Sequence, residues 1–272
     1  MIDSIALSGG GIKGLSYIGV VNFLEEQGMI KDIKNLSGTS IGSLVCLMIN
    51  LGYTNKEMEK LALNLTAKNL EDIDINLLFE KYGINKGEKV EIFLKYIIGF
   101  KNFDESITFK KLHEATGKTL HITACKLNDY SGTVFNHINT PDMEVYKACK
   151  HSMKIPLLWA VDDIECQYID GCFSVNLPIE VLDVKNTIGF TMTTDNTNST
   201  PGDLKEYIIK LTKCIFYKSN ALEIKKYKLL GYNLINIDNN GISAVDFESP
   251  IEVKKEIIKN GYDACTNNLK NN

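Results

Sequence analysis

The chain is 272 residues long, 44% hydrophobic and 24% charged, an ordinary globular composition that argues against disorder. A total of 30 Lys and Arg against 34 Asp and Glu leaves a net charge of −4, so there is no basic field for gripping nucleic acid. No apolar run reaches the ~18 residues of a membrane span, and Met1-Ile2-Asp3-Ser4 lacks the basic and apolar regions of a secretory signal, so a cytoplasmic protein is expected.

In chain order, Ile5-Ala6-Leu7 is a short apolar strand that ends in glycines. Residues 14–27 put Leu15, Ile18, Val21 and Leu24 at helical spacing, and Gly28 closes that helix. A second strand over 33–36 runs into Gly38. Residues 41–51 are apolar nearly all round, which predicts a buried helix. Thr54 with Glu57 forms a capping box for the next helix.

Residues 70–117 read as short helices with a turn at 82–87. Residues 119–126 alternate as a strand, and Asp129-Tyr130-Ser131-Gly132 turns the chain into another at 133–135. A helix is expected at 143–153, and strands at 167–169, 187–192 and 232–237. Residues 193–203 read as a surface loop. Helices at 204–229 and 251–270 flank the last strand. Strands alternating with helices predict an α/β fold: a largely parallel sheet covered by helices on both faces, as one domain over 1–272.

The seven cysteines are odd in number and show no CxxC spacing, so buried thiols in a reducing compartment are expected, with no zinc site.

Residues 8–14 read Ser-Gly-Gly-Gly-Ile-Lys-Gly. A glycine turn between strand and helix exposes backbone N–H groups at a positive helix end, which suits a phosphate or an oxyanion. Gly9-x-Gly11-x-x-Gly14 fits the dinucleotide fingerprint, but the ribose-binding acid expected about 20 residues on is missing from the second strand's end. A Walker loop is excluded because Gly14, not Ser or Thr, follows Lys13.

Residues 38–42 read Gly38-Thr39-Ser40-Ile41-Gly42, a GxSxG between a strand and a buried helix, the context of a nucleophile elbow. A serine nucleophile needs a base. The four histidines are His113, His121, His137 and His151, so no late C-terminal histidine exists for the usual hydrolase order. His113 sits mid-helix, His121 in a packed strand, and His137 and His151 suit supporting or surface positions. The other candidate is Asp170, which ends a strand and precedes Gly171; alone it reads equally as a turn residue.

Three features in order, Gly-Gly-Gly-x-Lys-Gly, then GTSIG, then Ser152-x-x-x-Pro156 leading to Asp170-Gly171 and Asn176-x-Pro178, resemble the patatin-like phospholipases. Residues 240–243 with Asp246-Phe247 also look like that family's C-terminal strand region. The resemblance implies a family core over about 5–185, completed by 186–272. It implies a Ser–Asp dyad without histidine, with Ser40 as nucleophile and Asp170 as base. It implies an oxyanion hole from the N–H groups of the loop Gly9, Gly10 and Gly11, chiefly the last two. Lys13 matches the family's basic loop position, where it steadies the loop or faces a lipid phosphate, while Gly14, Gly38, Gly42 and Gly171 shape the motifs. Neither metal nor cofactor is implied, and the substrate would be a phospholipid or another glycerolipid ester. Two departures are present: Cys172 where the family has Gly or Ala, and Ser8 where plant members carry Asp.

The apolar stretches Leu77-Leu78-Phe79, Ile92-Phe93-Leu94 and Tyr96-Ile97-Ile98-Gly99-Phe100 have two readings. They close the core, or they form a lid or interfacial face for transient contact with a membrane surface. Two alternatives to hydrolysis stand: a nucleotide- or lipid-binding module built on the glycine loop, and an acyltransferase using the same dyad.

Overall fold

The computed structural model describes residues 2–161, 167–192, 200–239 and 249–269. Parts of the sequence reading fall outside these: Cys166, residues 193–199 of the expected loop, the 240–243 and Asp246-Phe247 motifs, and Lys270.

The fold is mixed α/β, with helices on both sides of a mostly parallel sheet. Its strands are β1 (Ser4–Leu7), β2 (Asn35–Thr39), β4 (Thr119–Lys126), β5 (Ser131–Phe135), β7 (Tyr168–Asp170), β8 (Thr187–Met192) and β9 (Asn233–Ile237). A separate two-stranded sheet joins β3 (Gly83–Asn85) to β6 (Leu157–Trp159). The main order is β5-β4-β2-β1-β8-β9, with β7 also on β4. β4, β2, β1, β8 and β9 run parallel, while β5 and β7 are antiparallel to β4. All of β1 and β8 is buried, as expected of central parallel strands covered on both faces.

The helices are α1 (Ser16–Glu26), α2 (Ile41–Asn50), α3 (Asn55–Asn64), α4 (Ala67–Leu70), α5 (Leu77–Lys81), α6 (Glu88–Phe100), α7 (Phe109–Thr116), α8 (Val145–Ser152), α9 (Leu204–Leu229) and α10 (Ile251–Leu269). α2 is buried along nearly its whole length, because its apolar residues occupy every face. The capping box at Thr54 and Glu57 starts α3. α10 lies against α1 so closely that a Cβ at Gly19 would overlap the Ile258 carbonyl, and one at Gly261 the Ser16 carbonyl. The last helix thereby fixes the helix that follows the glycine loop.

Two differences from the sequence reading matter. The first predicted helix begins as a 3-10 turn, Gly11–Leu15, before α1. The turn expected at 82–87 contains β3, and its partner β6 has no counterpart in the sequence reading. Three-residue strands are too short to display a period, so only the pairing identifies them.

Candidate active site

The register of β4 brings the two distant motifs together. Along one edge, β4 pairs with β2 as far as Thr39↔Thr123. At the next residue the edge passes to β7, with Ala124↔Asp170. Ser40 leaves the sheet where β2 ends, and Asp170 is the last residue of β7 to pair with β4. The two therefore flank one step of β4.

Ser40 has φ 53° and ψ −124°, the sharp turn of an elbow, and α2 starts at the next residue with its positive end beneath it. The flanking glycines are there for close approach. A Cβ at Gly38 would overlap the backbone of Gly42, and one at Gly42 would overlap the carbonyls of Leu7 and Ser8 at the end of β1. Gly171 lies under the Thr123 carbonyl in the same way.

Asp170 is buried, with the Ser40 side chain among the groups that act on its carboxyl. Burial pushes its carboxyl up to about 6, against the opposing pull of the Ser40 side chain and of Cys172. The Cys172 N–H donates to Asp170 Oδ1 at 2.9 Å. The four histidines lie elsewhere in packed or stacked positions. His113 and His137 stack on each other at 3.8 Å, His121 is held down to about 4 chiefly by burial, and His151 packs beside the contacting rings of Phe135 and Tyr168.

The glycine loop crosses the end of β1, beside the elbow at the end of β2. Gly9 is not free to donate inward: its N–H goes to Asn176 Oδ1 at 3.0 Å. Asn176 is anchored in turn, since its Nδ2 donates to Asn220 Oδ1 at 3.0 Å and its N–H to Glu223 Oε2 at 3.0 Å, both on α9. Gly10 and Gly11 follow, where the 3-10 turn leaves its first N–H groups without partners in the turn. Lys13 is buried at 3% exposure, a position that suits steadying the loop and not meeting a lipid phosphate. Gly14 abuts the Ile41 side chain, where a Cβ would not fit.

Ser40 opens onto an apolar trench. Its walls are Ile41 and Leu44 of α2, Val90 and Phe93 of α6, and Ile84 and Leu158 of the small sheet. Met153 and Ile155 add to the wall, and the ionisable lining residues are Glu71 and Lys150. The 73–100 stretches divide between interior and surface. Leu94, Ile97 and Ile98 close the core, Phe93 lines the trench, and Ile73, Ile75, Phe79 and Tyr82 stand exposed, Phe79 at 85%. Among the described residues no helix is long and apolar enough to cross a membrane, and no group of three His, Cys, Asp or Glu could hold a metal ion.

The patatin-like phospholipase family model matches residues 5–183. The chain belongs to the patatin-like phospholipase family. An uncharacterized protein, R571, of Acanthamoeba polyphaga mimivirus is 28% identical over 96% of this chain and 91% of its own length. A probable lipid hydrolase, 463L, of Invertebrate iridescent virus 6 is 31% identical over 65% of this chain and 62% of its own. Among solved structures, VipD from Legionella pneumophila superposes with a TM-score of 0.64 at 16% identity, over 99% of this chain and 67% of that one. The ExoU-SpcU complex of Pseudomonas aeruginosa gives 0.56 at 17%, over 99% and 51%. These two likenesses show the shared fold. Family membership supports lipid-ester hydrolysis as the general activity of this patatin-like chain.

Sequence reasoning left Asn176, Glu223 and Ser152 without roles. Asn176 and Ser152 stood in the quoted Asn-x-Pro and Ser-x-x-x-Pro motifs, so a signal existed for them. Glu223 lies in a helix of ordinary composition, and only its contacts reveal it.

Proposed function

We propose that the protein is a phospholipase A-type lipid acyl hydrolase that cleaves carboxylic esters of phospholipids or related glycerolipids through a Ser40–Asp170 dyad. The observation that carries this reading is the β4 register: Ser40 leaves β2 just past Thr39, which pairs with Thr123, and buried Asp170 pairs with the next residue, Ala124. Asp170 takes the hydroxyl proton as Ser40 Oγ attacks the ester carbonyl. The N–H groups of Gly10 and Gly11 and the α2 dipole receive the developing oxyanion. The tetrahedral intermediate collapses, Asp170 returns the proton to the leaving lyso-lipid alcohol, and an acyl-Ser40 ester remains. Water then attacks that ester with Asp170 again as base, releasing fatty acid and restoring the serine. The chain's own residues balance every proton in this cycle.

The apolar trench suits an acyl chain. Its exposed rim at Ile73, Ile75, Phe79 and Tyr82 suits transient seating in lipid headgroups, with 1–272 acting as one unit at the membrane surface. The test is to incubate phosphatidylcholine vesicles with wild type and Ser40→Ala and to analyse the products by mass spectrometry. Fatty acid and lysophosphatidylcholine from wild type alone are expected. Their absence with wild type, or equal amounts from both proteins, would refute the reading.

A further inference from the structure

We propose that residues 152–154, the last residue of α8 and the two that follow it, are the spacer that sets Ser40 against Asp170, with Ser152 as a positioning residue. This rests on the dyad reading above.

The elbow conformation turns the Ser40 N–H away from the ladder between β2 and β4, so that group needs another acceptor. Ser152 Oγ supplies it at 2.8 Å, and the Ser152 hydroxyl donates onward to the Thr123 carbonyl at 2.6 Å. Two residues later, the Lys154 carbonyl accepts the N–H of Asp170 at 2.7 Å. A single short stretch thus holds the backbones of both nucleophile and base, and ties them to the β4 step that separates them. The alternate residues, Met153 and Ile155, line the trench. The stretch presents one set of groups to the dyad and the other to the acyl-chain space.

Residue type follows from this placement. Ser152 is fully buried, and only a small hydroxyl accepts from one backbone group and donates to another in that volume. Alanine would leave the Ser40 N–H and the Thr123 carbonyl unpaired in the interior. The elbow would then relax, and displacement of a nucleophile by about 1 Å costs on the order of 100-fold in rate.

The experiment uses the full chain, with hydrogen exchange at the Ser40 amide and steady-state turnover of p-nitrophenyl butyrate. Ser152→Ala is expected to speed Ser40 exchange at least about 10-fold and to lower kcat about 10- to 100-fold. KM should stay within about twofold of wild type, because the change acts on positioning and not on ground-state binding. Protection at Asp170 should persist. Ser152→Cys, a weaker donor and acceptor, should fall between the two, and it carries the test alone if the alanine variant does not fold. Wild-type exchange at Ser40 in the substituted protein, wild-type kcat, or a loss confined to KM would overturn the proposal. Ser40→Ala is run alongside. Turnover retained there would sink the dyad reading, while the exchange data would still decide the tether.

Discussion

Ser40 and Asp170 sit where backbone geometry leaves them little freedom, whereas the trench leading to them is walled by side chains on short, separate elements. On the dyad side, the determinants are strand register, an elbow with φ 53°, glycines that admit no Cβ, and buried N–H groups with single named acceptors. On the trench side they are apolar side chains from α2, α6 and the β3–β6 sheet, whose contacts are non-directional. The contrast separates two kinds of constraint. Chemistry demands sub-ångström placement and receives it from the main chain. Chain accommodation demands only volume and apolarity, and receives them from side chains that other apolar residues could replace.

The sharpest way to break this contrast is on the dyad side. Asp170→Asn should lower turnover of phosphatidylcholine by about 10³- to 10⁴-fold, in the range seen when the carboxylate of a serine triad is neutralised or removed. The same variant should be more stable than wild type at pH 8. The folded-state pKa of about 6 lies above the ordinary 3.8, so the native state binds the proton more tightly than the unfolded chain does. Stability is therefore lost as pH rises from near 4 through 6, and at pH 8 the ionised, buried group costs on the order of 3 kcal/mol. Removing that charge should raise Tm by several degrees at pH 8, with the gain vanishing near pH 4. An equal or lower Tm at pH 8 would mean that Asp170 is not buried as a charge. Wild-type kcat/KM should fall on the acid side of pH 6, because only the ionised carboxylate accepts the serine proton.

The trench side should respond more gently. Phe79→Ser removes an 85% exposed ring from the rim. Partition onto phosphatidylcholine vesicles, measured by sedimentation, should weaken about 10-fold, as expected for losing one aromatic side chain from an apolar contact. Folding stability should stay within about 0.5 kcal/mol, as for exposed substitutions generally. Unchanged partition would remove this rim from the membrane-facing account and leave the dyad untouched.

Much of the dyad side was legible in the sequence because its constraints leave residue-type signatures. An elbow that excludes side chains writes Gly38 and Gly42, and an N–H-rich turn writes three consecutive glycines. Long elements were equally readable: α9 lies at the expected 204–229, and β8 at 187–192. What stayed hidden depends on pairing between remote segments. β6 declares itself only beside β3, and the β4 step that joins Ser40 to Asp170 follows from register, which no local pattern encodes. The diversion of the Gly9 N–H to Asn176 likewise depends on the Asn-x-Pro turn, anchored on α9, meeting the loop, and the burial of Lys13 is equally a matter of tertiary packing. The split of the 73–100 stretches between core and surface was ambiguous for the same reason, since apolar residues alone do not say which face meets protein.

The claim that Ser40 is the nucleophile activated by Asp170 is tested most directly by treating the protein with a fluorophosphonate and mapping the adduct by mass spectrometry. A single adduct on Ser40 is expected, absent in Ser40→Ala and formed far more slowly in Asp170→Asn. An adduct on another residue, or labelling of Ser40 at an unchanged rate without the carboxylate, would contradict the account.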